Sequence, residues 1–151
     1  MENPNLLPSQ RSAVVAVIDP DAYTANSYSS GFVDMRAFGA IQAIVMAGTL
    51  GTNATLSARL EESPYNNGSN LSNITGKAIT PLLENGTDSD KQAIINCRAD
   101  ELDVNNGSRY VRLTMTVATA TSDAGAIVMG HDARQGPASD NDLASVDEIV
   151  A

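Results

Sequence analysis

The sequence is poor in the residues that reactive sites, cross-links and membrane segments require. It has one cysteine, one histidine, no tryptophan and only 4% aromatic residues. A lone cysteine, Cys97, cannot form an intramolecular disulfide, so nothing in the chain requires an oxidising compartment. The longest apolar run, around residues 43–47, is far shorter than the roughly 20 residues of a membrane-spanning helix. The hydrophobic core must therefore come from Val, Ile, Leu, Ala and Met.

Positive charge is also scarce. Nine Lys and Arg residues oppose 18 Asp and Glu residues, which gives a formal net charge of −9. This balance disfavours nucleic acid and anionic membrane as partners, because phosphate groups repel an acidic surface. A basic protein surface is the more natural partner. The first residues contain no basic stretch followed by an apolar one, so we expect no signal peptide and a soluble chain made inside the cell.

Groups that carry out catalysis or bind metals are equally sparse. We expect His131 to be a surface-loop histidine, because acid–base or nucleophilic chemistry needs partners gathered around it. We expect Cys97, inside a predicted strand, to be a buried thiol that behaves as a small hydrophobe. The acidic residues at 88–90 and 140–142 lack the glycine and distal glutamate of a calcium-binding loop. The sequence therefore predicts no enzyme, no cofactor and no metal.

One stretch, residues 109–118, organises the fold. Val111, Leu113, Met115 and Val117 alternate with polar or amphipathic residues, and Asn106-Gly107 just upstream is typical of a turn. Side chains on a strand point alternately to opposite faces, so this period of two predicts a strand with one buried face. We predict that this strand is central.

Other segments are also typical of short strands separated by turns. The pattern predicts strands at residues 12–18, 22–30, 31–36, 39–47, 53–62, 71–75, 78–83, 92–98 and 125–130. Residues 99–102 are expected to form one helical turn that crosses between the sheets, with Leu102 inserted into the core. Strands at intervals of about 8–12 residues predict an all-β antiparallel β-sandwich, jelly-roll-like.

The chain divides into three predicted parts. Residues 1–11, with Pro4 and Pro8, are expected to form an extended N-terminal arm. Residues 12–130 form the β-sandwich domain, whose first strand is expected to end at Asp19-Pro20-Asp21. Residues 131–151 are rich in Asp, Asn, Gly and Pro, and they are expected to form a C-terminal tail.

The polar faces of two predicted strands are candidates for a subunit interface. Small hydroxyl groups allow two surfaces to approach closely, whereas the alternative is an ordinary solvent-facing surface. The candidate interface residues are Thr55, Ser57, Arg59, Glu61, Arg112, Thr114 and Thr116.

Several segments together carry a resemblance to a known group of proteins. They are residues 31–36 (Gly-Phe-Val-Asp-Met-Arg), 54–63 (Ala-Thr-Leu-Ser-Ala-Arg-Leu-Glu-Glu-Ser), 90–95 (Asp-Lys-Gln-Ala-Ile-Ile), 98–102 (Arg-Ala-Asp-Glu-Leu), 109–112 (Arg-Tyr-Val-Arg) and 134–139 (Arg-Gln-Gly-Pro-Ala-Ser). Across roughly residues 12–140 the chain resembles small head structural proteins of tailed bacteriophages. Within that group it is most similar to jelly-roll capsid cement (decoration) proteins.

The resemblance implies a structural virion protein. It implies a homotrimer on the outer capsid surface that binds the major capsid protein, is made in the host cytoplasm and contacts neither nucleic acid nor membrane. One alternative is a head–tail connector or tail component of the virion, which would assemble as a ring of six or twelve copies. Another is a carbohydrate- or receptor-binding β-sandwich module that uses Tyr23, Tyr28 and Tyr65.

Overall fold

The computed structural model describes residues 4–151, so the first three residues of the predicted N-terminal arm lie outside the described part. Within that range the chain forms ten strands and one α-helical turn, α1 (Pro8–Arg11). The strands are β1 (Ser12–Tyr23), β2 (Asn26–Ser29), β3 (Val33–Asp34), β4 (Phe38–Ala47), β5 (Thr55–Ser63), β6 (Ser72–Ala78), β7 (Leu82–Leu83), β8 (Gln92–Arg98), β9 (Tyr110–Ala118) and β10 (Ser122–Ala133). Short 3-10 turns lie at Glu84–Gly86, Ala99–Glu101, Val104–Asn106 and Ala138–Asn141.

The strands form two antiparallel sheets in a jelly-roll arrangement. Sheet A has the order β1-β10-β4-β8, and sheet B has the order β2-β9-β5-β6, with β3 added beside β9 and β7 beside β5. The chain crosses between the sheets from β1 to β2, β4 and β5 in turn, and again from β6 to β8, β9 and β10, which is how a jelly roll is connected. The predicted all-β antiparallel sandwich is confirmed.

The core lies between the inner faces of the two sheets. The predicted central strand β9 runs between β2 and β5, and its four apolar residues are at most 1% exposed. The alternating apolar residues in and just before β5 are also buried: Ala54, Leu56, Ala58 and Leu60. Leu102 follows the 3-10 turn Ala99–Glu101 and is 6% exposed, so its insertion into the core is confirmed.

The prediction that the first strand ends at Asp19-Pro20-Asp21 is wrong. Strand β1 continues to Tyr23, because a one-residue bulge accommodates the proline: Ile18 pairs with Ala126, whereas Asp21 pairs with Ala124. A proline has no N–H for a sheet ladder, and bulges on edge strands are one of the few places where a strand accepts it.

The α1 turn and the 3-10 turn Ala138–Asn141 both pack on the β1 side of sheet A. The arm is not wholly extended, since α1 forms where Pro8 begins the turn and the Gln10 Oε1 accepts the Leu7 N–H at 2.9 Å. Strand β10 continues to Ala133, three residues past the predicted boundary at Gly130. Beyond it, Ala138 is buried at 1% exposed.

We predict that Gly130→Ala destabilises the sandwich. Gly130 faces the core between Ala13 and Ile41, and an added Cβ would lie 2.6 Å from the Phe38 ring. Such overpacking costs about 1–3 kcal/mol of unfolding free energy. Gly31→Ala is the control, since no atom lies within 4 Å of its added Cβ. Urea unfolding followed by circular dichroism measures both, and equal midpoints for the two variants would contradict this packing.

Candidate functional site

The seven predicted interface residues lie together on the outer face of sheet B, which we call the polar face. Registered pairs on β5 and β9 place Ser57 beside Thr116, Arg59 beside Thr114 and Glu61 beside Arg112. Strand β2 extends this surface with two hydroxyl pairs, in which Ser27 and Ser29 contact Thr116 and Thr114 at 2.8 Å. The register therefore places all seven residues on one face of sheet B, where Glu61 and Thr114 are buried at 5% and 3% exposed.

The polar face is organised by the buried carboxylate of Glu61, which is 5% exposed. Its Oε1 accepts hydrogen bonds from the Thr114 hydroxyl and from Arg112 Nε, the latter at 3.0 Å, and its Oε2 accepts one from Arg59 at 3.3 Å. Burial raises the pKa of Glu61, but the hydrogen bonds from Thr114 and Arg112 and the charge of Arg59 outweigh burial. The pKa therefore lies below the ordinary range of glutamate.

Around Glu61, the polar groups of the polar face bond to one another and are flanked by Phe32. The Phe32 ring lies 5.4 Å from the Arg112 guanidinium, and Gly68 of the 63–70 loop lies against the same ring. Arg59 is held further by the Asn73 Oδ1 at 3.1 Å. Because these groups already bond one another, they offer a partner few free donors or acceptors. The interface role of the seven residues stays a prediction.

The outer face of sheet A carries an apolar row that sequence reasoning missed. Val17 lies beside Ile127, Ile127 beside Ile44, and Ile44 beside Ile94, so this outward row crosses all four strands. We call the row and its apolar neighbours the apolar face; it comprises Val14, Val17, Ile44, Met46, Ile94, Ile127 and Met129, and it is bordered on the same side of the sheet by Gln42, Gln92 and Asn96. Met46 is 52% exposed and Ile94 is 56% exposed. Contiguous apolar surface of this kind marks a site of association.

A groove of about 680 Å³ continues the apolar face at the β1 bulge. Its apolar wall includes Met46, Ile127 and Pro20. Gly125 lets the bulge approach closely, since an added Cβ there would lie 3.0 Å from the Pro20 Cα. The groove thus joins a bulge on β1 to the centre of sheet A.

Three exposed carboxylates, those of Asp19, Asp21 and Asp123, line the same groove. Within residues 4–151 none of them forms an ion pair. The arrangement offers a partner an apolar floor with an anionic rim. A segment with apolar side chains flanked by Lys or Arg has the matching chemistry.

The remaining sequence candidates are dispersed. His131 lies on β10 beside Ala40, not in a loop, because the strand continues past Gly130; over the described residues its ring makes no hydrogen bond or ion pair. Asp88 accepts from the Leu83 N–H and from Lys91. In the described part of the chain no three His, Cys, Asp or Glu residues are grouped to hold a metal. The prediction of no enzyme and no cofactor stays a prediction.

The three tyrosines considered for a glycan platform do not converge. The rings of Tyr23 and Tyr28 are in contact, with centroids 4.3 Å apart. Tyr28 pairs with Met115, whereas Tyr65 follows Ser63, which pairs with Tyr110 at the opposite end of β9.

None of the described helices is long and apolar enough to cross a membrane.

No family model matches the chain, and no curated protein sequence does either. Among solved structures, the crystal structure of the PBSX exported protein XepA superposes with a TM-score of 0.57 at 14% identity, over 89% of this chain and 41% of that chain. The chain thus spans about two fifths of that structure's length, and at this identity the likeness shows the fold alone.

Two viral structures superpose less well. Broad bean stain virus gives a TM-score of 0.48 at 6% identity, over 90% of this chain and 91% of that chain. Infectious bursal disease virus, Gt strain, gives 0.42 at 11% identity, over 91% of this chain and 37% of that chain. With TM-scores below 0.5, they add nothing about function.

We predict different effects on stability when glutamine replaces each of two adjacent glutamates, Glu61 and Glu62. Glu61→Gln leaves Arg112 and Arg59 without their shared carboxylate, and we expect a loss of about 1–3 kcal/mol of unfolding free energy at neutral pH. Glu62 faces inward; burial raises its pKa, followed by a smaller effect of the Asp103 charge, although its Oε2 accepts the Asp103 N–H at 3.1 Å. Glu62→Gln keeps that acceptor without a buried charge, so stability should be unchanged or higher.

The pH dependence checks the assignment. Because the folded pKa of Glu61 is lowered, its contribution is full above the ordinary glutamate pKa of about 4.3 and is lost as the pH falls through the folded value. Urea unfolding of wild type and Glu61→Gln should therefore converge in acid. A constant difference between them across that range would contradict the network around Glu61.

We predict that Cys97 is unreactive in the folded chain. Its side chain is fully buried, and burial together with the charge of Glu101 raises the pKa of the thiol to about 11. A thiol-reactive dye at pH 8 should label it only when the chain unfolds, since the thiolate is the reactive species. Labelling at the same rate with and without denaturant would be the contrary result.

Proposed function

We propose that this chain is a structural protein of a bacteriophage virion, specifically a cement protein that binds the outer surface of the capsid. The observation that carries the proposal is the apolar face of sheet A, which crosses four strands and leaves Met46 and Ile94 more than half exposed. A chain that acts alone in water gains nothing from such a surface. A chain that functions within an assembly covers it.

The acidic rim supports a capsid protein as the partner. Asp19, Asp21 and Asp123 have no cation of their own chain in the described residues, and the whole chain carries a formal net charge of −9. An acidic chain stays soluble before it binds, and it is drawn toward basic patches on a shell. The sequence resemblance to phage head proteins supports the same partner.

A cement role follows from linkage. A protein that binds the assembled shell and not the free subunits stabilises the shell by mass action. The resemblance to cement proteins also implies a homotrimer. Three linked copies would bind neighbouring capsomers together, with higher avidity than one copy alone. The head–tail connector or tail component remains the second proposal within the virion, and a sedimentation mass equivalent to six or twelve copies would favour it.

The decisive experiment heats phage particles made with and without this chain and follows the release of their DNA. We expect particles that lack the chain to open at a lower temperature, and adding the purified chain should restore the higher one. Unaltered shell stability in its absence would refute the cement role.

Variants on the two sheets test which face binds. Met46→Asp and Ile94→Asp place a charge on the apolar face at exposed positions, and each should weaken binding to particles at least about tenfold. Ser57→Asp places the same charge on the polar face of sheet B and is the matched control. If Ser57→Asp abolishes binding and the sheet A variants do not, the interface lies on sheet B, as the sequence pattern predicted.

A further inference from the structure

Two adjacent arginines, Arg36 and Arg134, lie at the end of the sandwich opposite the acidic groove. They form no ion pair within residues 4–151, although Arg36 is close enough to Asp34 to contribute to the lowered pKa of that carboxyl. Arg36 precedes β4 and Arg134 follows β10, and they are held together because the Arg134 N–H donates to the Ala37 carbonyl at 2.9 Å. Both are exposed, and both line a cleft of about 530 Å³ as well as a smaller one of about 370 Å³ beside it. We call the larger cleft the arginine cleft.

The absence of a counter-ion is unusual in a chain with twice as many acids as bases. Six of the nine cationic side chains form ion pairs within residues 4–151, whereas Arg36 and Arg134 form none. The nearby carboxylate of Asp34 is already occupied, because it accepts two bonds from Arg109, at 2.8 and 2.5 Å, and one from the Arg36 backbone N–H. Two neighbouring guanidinium groups therefore face solvent and are suited to bind carboxylates in a bidentate geometry.

The wall of the arginine cleft beside these charges is apolar. Met35 and Leu102 form its buried part, and Val104 is 63% exposed at its edge. The cleft thus pairs two cations with an exposed hydrophobic surface. A matching ligand carries carboxylates next to apolar side chains.

The chain itself contains a segment of this composition, Asp147-Glu148-Ile149-Val150. All four residues are exposed, with Ile149 at 48% and Val150 at 82%, and over the described residues neither carboxylate is hydrogen-bonded or ion-paired. We propose that the arginine cleft binds residues 147–150 of a second copy of this chain. Asp147 and Glu148 pair with Arg36 and Arg134, while Ile149 and Val150 cover Val104 and its neighbours.

The geometry favours a second copy over the same chain. The segment leaves the body at Leu143, whose N–H donates to the Val14 carbonyl on β1, and residues 147–150 lie exposed outside the cleft. The cleft is lined by residues between Ala99 and Arg109, by Met35 and Arg36 before β4, and by Arg134 after β10. None of residues 147–150 is part of this lining, so the carboxylates of Asp147 and Glu148 lie outside the cleft of their own chain. Contact between a tail and a different surface on the next copy is heterologous, and it closes into a ring or continues as a filament.

Sedimentation equilibrium of the full chain tests this contact without any capsid, so its outcome is independent of the cement role. At about 0.01 M salt, where charge interactions are little screened, the average mass should rise with concentration. Arg36→Glu/Arg134→Glu should weaken association at least about tenfold, and Asp147→Lys/Glu148→Lys should do the same. The variant that carries all four changes should associate again, because the charges are exchanged.

Lys91→Glu is the matched control for the single variants Arg36→Glu and Arg134→Glu, each of which should also weaken association. It changes net charge as much as either of them, at an exposed site at the far end of β8 from the cleft, and it should associate as wild type does. Circular dichroism confirms that each variant folds.

Several results would overturn the proposal. The first is a wild-type chain that stays monomeric at every concentration. The second is an association constant that does not change when the cleft charges are reversed. The third is a variant with all four changes that does not associate. If association is lost in the cleft variant but not in the tail variant, the cleft binds another acidic surface of the second copy, such as the rim of the groove, and not residues 147–150.

Discussion

A two-layered sandwich can bury only the inner face of each sheet, and the fate of the two outer faces determines what this protein can do. The inner faces are filled by aliphatic side chains and methionine, since aromatics make up 4% of the sequence. On sheet B the polar groups of the outer face bond to one another, because the buried carboxylate of Glu61 accepts hydrogen bonds from Thr114, Arg112 and Arg59. On sheet A the outer face has no such network. Its apolar side chains stay partly exposed, with Met46 and Ile94 more than half exposed.

The parts of the fold that were predicted from sequence are those where alternation is clear. Strand β8 was predicted with its observed bounds, Gln92–Arg98, and β9 within one residue, because a half-buried strand shows a period of two. The seven residues of the polar face follow from the same rule. Leu102 was also predicted, since it is an isolated apolar residue after an acidic turn.

The apolar face was not predicted because its strands show little alternation. Residues 39–47 are nearly continuously apolar, which is equally consistent with a strand buried on both faces and with an exposed apolar surface. In β1, bulges near Val15 and Pro20 also shift which residues face outward, so that Val14 and Val17 share a face although they are three apart. A run with apolar residues on both faces in β1, β4 and β10 was the available indication. Single-strand reasoning could not place these strands side by side.

The chain's own tail pairs with the β1 edge of sheet A at Val14. The Asp142 carboxylate accepts the Val14 N–H at 2.7 Å, and the Leu143 N–H donates to the Val14 carbonyl at 2.9 Å. Because exposed strand edges invite non-specific pairing, these bonds protect this part of β1. The charges are separated along the same sheet: Asp123 lies at the start of β10 and Arg134 just beyond its end, about 36 Å apart along an extended strand. Because charges so far apart cannot neutralise each other within one molecule, each end retains its attraction for a partner. The net charge of −9 opposes non-specific contact between copies, so association is favoured only where opposite charges meet, as they would between the arginine cleft and residues 147–150 of a second copy.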